Sequence, residues 1–238
     1  MNVLLLFALL TSLFAQQPPL DGAWQATEAT GQPVVLTVAD DYLMLTTYEP
    51  TRFIATRGGV CRREGNQLRL TVEFDTQDST RVGQVETYGL TQPNGQLRLT
   101  GPGGERTYRR LDEPAKTPLT GLWRITGRAN EAGQLSTMPR GPRKTIKLLT
   151  NGRFQWAAIN PQTKQFFGTG GGTYRFASGS ANGSANGQYT ETIAFFSRDD
   201  SRVGRSLTFD AAVTGDTWQH TGQSSTGNPV REVWTRER

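Results

Sequence analysis

Leu20-Asp21-Gly22-Ala23-Trp24 returns later in the chain as Leu119-Thr120-Gly121-Leu122-Trp123. Further pairs occur in the same order. Tyr48-Glu49-Pro50 answers to Ile159-Asn160-Pro161, and Gly58-Gly59-Val60-Cys61-Arg62 to Gly171-Gly172-Thr173-Tyr174-Arg175. Asp78-Ser79-Thr80-Arg81-Val82-Gly83 answers to Asp199-Asp200-Ser201-Arg202-Val203-Gly204, and Thr100-Gly101 to Thr221-Gly222. The copies close on Tyr108-Arg109-Arg110 and Trp234-Thr235-Arg236. An ordered series of this kind marks an internal repeat. It divides the chain into copy one, residues 20–113, and copy two, residues 119–236. Asp112 to Pro118 link them, with two prolines and several charges that suit an extended connection.

Within each copy the hydrophobic period is two. Leu68, Leu70, Val72 and Phe74 alternate with Arg69, Thr71, Glu73 and Asp75, which is the pattern of a half-buried strand. Val34, Leu36 and Val38 alternate likewise. Turn residues separate the runs at Asp40-Asp41, Asn94-Gly95, Asn151-Gly152 and Gly215-Asp216. About eight short strands fit residues 22–111, and no helical periodicity appears after the N-terminal segment. The fold class is therefore all-β, two tandem antiparallel barrels or barrel-like domains. Ser178 to Gly187, where Ser-Ala-Asn-Gly is repeated, reads as a flexible loop extension.

Ahead of the repeats, an apolar run from Val3 to Leu10 leads to Ala15. It is too short to span a bilayer and ends at a small residue, so residues 1–15 read as a signal peptide and the protein as secreted or periplasmic. No transmembrane segment is expected later, although peripheral envelope contact is compatible with the sequence. Cys61 is the only cysteine among 238 residues, which excludes an intramolecular disulfide; it reads as a small buried apolar residue. The net charge of +5 is uneven. Residues 16–115 hold 10 basic and 13 acidic side chains, whereas residues 116–238 hold 16 basic and 8 acidic ones. A basic second half suits anionic ligands or an anionic surface, or is simply a solvated face.

Gly22 and Trp24 with Arg110, and Gly121 and Trp123 with Arg236, resemble the lipocalin (calycin) signature of Gly-x-Trp in the first strand and a basic residue in the last. The resemblance implies that each arginine packs across its tryptophan and closes one end of a barrel. Copy two is also similar to secreted bacterial lipocalin-like domains of uncharacterised function. The similar stretches are Phe154-Gln155-Trp156, Gly170 to Tyr174, Tyr189 to Ile193, Phe195 to Asp199 and Arg202-Val203-Gly204, within residues 119–236. The Thr-Asp-Tyr motif of typical lipocalins is missing, and each copy is shorter than a usual lipocalin.

Setting one copy on the other points to a site. With Arg81 matched to Arg202, Leu68, Leu70, Val72 and Phe74 fall on Tyr189, Glu191, Ile193 and Phe195. Leu43 and Leu45 become Phe154 and Trp156, while Leu97 and Leu99 become Trp218 and His220. Copy one thus reads as a dry aliphatic interior, and copy two as aromatics with polar tips. An inward carboxylate needs water, a ligand, or a partner such as an interior arginine or His220. Glu191, His220, Tyr189, Trp218, Trp156, Phe154 and Tyr174 are the candidate ligand-binding residues, for a small amphipathic or anionic molecule. Arg81 and Arg202 read as turn braces.

Two other readings stand beside this one: a structural or interaction module without a small-molecule ligand, and an enzyme using Glu191 and His220 as acid and base. The chain has one histidine, no nucleophile-elbow motif, no phosphate loop and no dinucleotide fingerprint. No cofactor or metal centre is expected, and the inward placement of the aromatics argues against nucleic acid.

Overall fold

The computed structural model describes residues 18–28, 31–130, 132–181 and 184–237. The apolar segment at residues 1–15 lies outside them. Eight strands form the first barrel: β1 Gly22–Thr27, β2 Pro33–Ala39, β3 Tyr42–Glu49, β4 Arg52–Glu64, β5 Gln67–Asp75, β6 Val85–Thr91, β7 Leu97–Gly101 and β8 Gly104–Arg110. Each pairs antiparallel with the next, and β1 closes on β8 with Trp24 opposite Arg110.

The second barrel comprises β9 Gly121–Ala129, β10 Leu135–Thr137, β11 Lys144–Leu149, β12 Arg153–Asn160, β13 Gln165–Ala181, β14 Ser184–Phe196, β15 Ser206–Thr214, β16 Thr217–Gln223 and β17 Pro229–Arg236. It closes through β9 and β17, with Arg236 opposite Trp123. The short β10 continues the edge of β9 beyond β11: residues 121–124 pair with β11, and residues 127–129 with β10. Among the described residues the only helices are three-residue 3-10 turns.

The repeated Gly-x-Trp has a direct steric cause. The Arg110 guanidinium lies 4.4 Å from the Trp24 ring centre, and Arg236 lies 4.3 Å from that of Trp123. Each indole N–H donates four residues back, Trp24 to the Leu20 carbonyl at 2.9 Å and Trp123 to the Leu119 carbonyl at 2.8 Å. The arginines donate to nearby carbonyls, Arg110 to Asp21 and Arg236 to Thr120. The guanidinium crosses where a side chain at the glycine would stand. A Cβ on Gly22 would lie 2.1 Å from Arg110 Nη1, and one on Gly121 would lie 2.2 Å from Arg236 Nη1. Both glycines also have a positive φ, +138° and +133°.

The inward alternation holds along β5 and β14 until each meets a bulge. Gly59 pairs with Val72 and Gly58 with Phe74, so Glu73 is the extra residue; Gly172 pairs with Ile193 and Gly171 with Phe195, so Ala194 is. An extra residue reverses the facing of the strand residues beyond it. Phe74 and Phe195 therefore leave the interiors where the period-two pattern put them. Phe74 joins a cluster between the barrels with Ala39, Tyr42, Met44, Leu122, Ile146, Leu148, Ala157 and Ile159. Phe195 packs on Tyr48 and Phe53 of the first barrel, at 5.0 and 6.2 Å between ring centres.

Polar groups fix the seam between barrels. Gln155 bridges Thr46, Thr56 and Thr169 at 2.8 to 3.1 Å. Lys144 reaches Glu73 at 2.8 Å, and the Asp40 carboxylate accepts the Leu122 N–H at 2.9 Å. Asp40 and Asp41 take positive φ, as the tight β2–β3 turn requires.

Residues 178–181 and 184–187 are strand and not loop: Ser178 stands opposite Gly187 and Ala181 opposite Ser184, and β15 supports the other edge of β14. Small residues weaken strand propensity without removing backbone donors and acceptors, so an adjacent strand recruits them.

Replacing Gly121 or Gly22 by Ala should lower stability by about 1–3 kcal/mol each, through strain and displacement of the arginine. Denaturant melts check this; wild-type midpoints in both variants would show that the guanidinium yields without loss.

Candidate functional site

The second barrel holds an open cavity of about 650 Å³, lined by Lys147, Phe154, Trp156, Glu191, Ile193, Phe209, His220, Glu232 and Trp234 among others. Four exposed arginines, Arg128, Arg143, Arg198 and Arg231, border it. Trp156 meets Phe196 edge to face at 5.6 Å beside them.

Glu191 and His220 both line this space but do not pair with one another. The partner of Glu191 is Lys147, whose Nζ donates to Glu191 Oε2 at 2.9 Å; the Tyr189 hydroxyl donates to the same oxygen at 2.9 Å. Burial, then the neighbouring Glu191 carboxylate, pushes the Tyr189 phenol well above its ordinary range, so it stays a donor. The Lys147 ammonium also lies 5.1 Å from the ring centre of Phe154, 5.0 Å from Tyr189, 5.3 Å from Trp218 and 5.6 Å from Trp234. Four ring faces and one carboxylate replace its water shell.

His220 belongs to a second group. Its Nε2 lies 3.0 Å from Glu232 Oε2, the Trp234 indole donates to that oxygen at 3.1 Å, and Arg128 holds Oε1. Burial lowers the His220 pKa, and Lys147 adds to this against the opposing pull of Glu232. Burial alone would raise Glu232, but the hydrogen bond and charge of His220, with Arg128 and Lys147, hold it down at about 2. A neutral His220 donating from Nε2 leaves Nδ1 as an acceptor, and Nδ1 has no hydrogen-bond partner. The Trp218 indole nitrogen is likewise buried without one.

The remaining candidates separate. Phe154 and Trp156 line the cavity, whereas Tyr189 and Trp218 pack beneath it, 5.2 Å apart edge to face. Tyr174 sits at the closed end, bonded to Thr117 at 2.7 Å and to the Thr150 carbonyl at 2.6 Å. Arg202 braces its turn through Asp199 at 2.7 Å and Ser225 at 2.6 Å.

Lys147 is the residue the sequence reading missed. It pairs with Trp123 as Leu36 pairs with Trp24, so Thr145, Lys147 and Leu149 replace inward Val34, Leu36 and Val38. The available signal was a lysine at an inward position of a strand in the repeat.

The dry reading of barrel one also needs correction. Its β5 face is aliphatic, but the adjoining β6 carries Glu86 inward opposite Leu70, and Arg57, Arg81 and Tyr88 all bond that carboxylate. Arg81 is therefore more than a turn brace. In barrel two, Glu191 pairs across from Leu207. Barrel one thus has Glu86 on β6 and, beyond the bulge, Asp75 at the end of β5, both bound by Arg81, whereas barrel two has Glu191 on β14. The apolar space in barrel one is about 110 Å³ over Leu36, Leu43, Leu68 and Leu70. It adjoins a hydrophilic mouth of about 730 Å³ bearing Glu28, Asp75, Asp78 and Glu86.

Cys61 is buried, and its thiol is pushed up to about 12, by burial first and then Asp41 and Asp21. Among the described residues no group of acidic, histidine or cysteine side chains could hold a metal ion, and no helix is long and apolar enough to cross a membrane. No family model matches the sequence, and no curated protein matches it either.

Glu191→Leu alone should cost about 3–5 kcal/mol, because it leaves the Lys147 ammonium buried without its counter-ion. The double change Lys147→Leu with Glu191→Leu recreates the Leu36 and Leu70 positions of barrel one and should recover most of that loss. Urea denaturation of both variants checks this; equal stability of the two would refute the coupling.

Acid should weaken the fold in two stages. His220 has a lowered pKa in the folded state, so the unfolded chain takes up its proton first and stability falls as pH drops through about 6.5. Glu232 is depressed to about 2, so its contribution is present above the ordinary carboxylate range and is lost as pH falls from there toward 2. His220→Gln should flatten the melting temperature between pH 7 and 5 relative to wild type; an unchanged slope would exclude His220 as its source.

Proposed function

We propose that this is an exported, lipocalin-like binding protein whose second barrel holds a small amphipathic or anionic ligand. The observation that carries this reading is the cavity of about 650 Å³, which joins an aromatic interior to a border of four exposed arginines. Wide concave sites with apolar walls and a few convergent polar groups are the usual form of small-molecule sites. The calycin assignment is supported by the paired Gly-x-Trp and arginine closures on eight-stranded barrels. Export rests on the apolar segment ending at Ala15.

The two barrels divide by chemistry. The mouth of barrel one already matches carboxylates to arginines, Glu28 with Arg106 at 2.8 Å and Glu86 with Arg57 at 3.1 Å. Of the four arginines around barrel two, Arg128 is engaged by Glu232, and the other lining carboxylate, Glu191, is held by Lys147, which among the described residues leaves Arg143, Arg198 and Arg231 without a carboxylate partner at the border. An anionic head group would meet Arg143, Arg198 or Arg231, with its apolar body against Phe154, Trp156 and Phe209.

The reading is tested with 2-naphthoate, followed by tryptophan fluorescence. Saturable binding that weakens with added salt is expected for wild type, and Ala158→Trp, which fills the cavity wall, should abolish it. Binding unaffected by Ala158→Trp, or no binding by wild type, would overturn the assignment to barrel two. Native mass spectrometry of protein isolated from its own host should show a bound small molecule in wild type and a bare chain in Ala158→Trp.

A further inference from the structure

The buried ammonium of Lys147 is not demanded by the fold, since Leu36 fills the same register position in barrel one. The chain has four lysines. Lys116 and Lys164 are exposed, and Lys144 is bound to Glu73 at the seam between barrels. Lys147 alone among them lines the large cavity. Its surroundings are built to keep positive charge on one nitrogen: Glu191 at 2.9 Å and four aromatic faces at 5.0 to 5.6 Å. A protonated imine is also a cation centred on that nitrogen, so the groups that hold the ammonium would hold it too.

We propose that barrel two captures an aromatic or other apolar aldehyde or ketone covalently, as an imine on Lys147. The proposal rests on the cavity being a ligand site. Lys147 passes one ammonium proton to Glu191 across their hydrogen bond, which frees the nitrogen lone pair. That pair attacks the carbonyl carbon; the C–N bond forms as the C=O π pair moves to oxygen. The oxygen takes a second proton from the attacking nitrogen, giving a neutral carbinolamine. Glu191 returns its proton to the hydroxyl, the C–O bond breaks, and water leaves as the nitrogen pair closes the C=N bond. The three ammonium protons end as two on water and one on the iminium nitrogen, and Glu191 is again a carboxylate beside a cation. Tyr189 stays bonded to Glu191 throughout and fixes the carboxylate. The body of the carbonyl compound lies against Phe154, Trp156 and Phe209.

The test uses the full chain with 2-naphthaldehyde and cyanoborohydride at neutral pH, and maps the reduced adduct by peptide mass spectrometry. Lys147 should be alkylated at least about ten-fold faster than Lys116 or Lys164, because the cavity holds the carbonyl beside the amine. Labelling of Lys147 should saturate with aldehyde concentration, and 2-naphthylmethanol, which has no carbonyl, should compete with it. Glu191→Gln should slow labelling of Lys147 without changing that of Lys116. If 2-naphthylmethanol quenches the tryptophans saturably while Lys147 stays unlabelled, or is labelled no faster than the exposed lysines, imine capture is overturned and the cavity reading survives. If neither compound binds or labels within the barrel, both fail together.

Discussion

Each barrel depends on a guanidinium laid across an indole at the point where its first and last strands meet. Arg110 over Trp24 and Arg236 over Trp123 join the two chain ends of each repeat. The charge is held by backbone carbonyls on one side and by a ring face on the other, so a cation closes the end of an apolar interior without standing unpaired. Gly22 and Gly121 are consequences of that crossing, because the arginine occupies the space a side chain would need. Closure removes the free sheet edges that strands of this length would otherwise expose.

On this shared scaffold the two interiors have diverged by moving charge. Barrel one carries Glu86 on β6, bound by arginines that come from β4 and the turn after β5. Barrel two carries Glu191 on β14, bound by Lys147 from β11. An ammonium surrounded by four rings and an acceptor-only carboxylate is costly to desolvate and strongly destabilising to break, which ties the two positions together. The second group, His220 with Glu232, Trp234 and Arg128, leads from the floor of the cavity to its border.

The seam between barrels uses residues the repeat had assigned to their interiors. Glu73 and Ala194 each add one residue to a strand, and Phe74 and Phe195 turn outward to fill the contact. The bulges coincide with Gly58-Gly59 and Gly171-Gly172. A Cβ on Gly59 or Gly172 would fall about 2 Å from a backbone carbonyl oxygen, of Thr71 and Thr192 respectively. The repeated Gly-Gly is therefore the trace in sequence of an event that decides how the barrels dock.

Period-two alternation, turn residues and the ordered repeat determined the all-β class and the two copies, and the resemblance to the Gly-x-Trp signature pointed to the closing arginines, because these features depend on neighbours along the chain or on one strand pair. The inward placement of Glu191 and His220 was legible too, since alternation counts from fixed landmarks. What they bond to was not. Lys147 reaches Glu191 from β11, which is not a neighbour of β14, and Glu232 stands opposite His220 only through the register of the β16–β17 pair. The facing of Phe74 and Phe195 and the strand pairing of residues 178–181 with 184–187 were also hidden. A single inserted residue reverses a face, and a neighbouring strand can impose pairing on residues with little preference of their own, so only the assembled sheet could decide them.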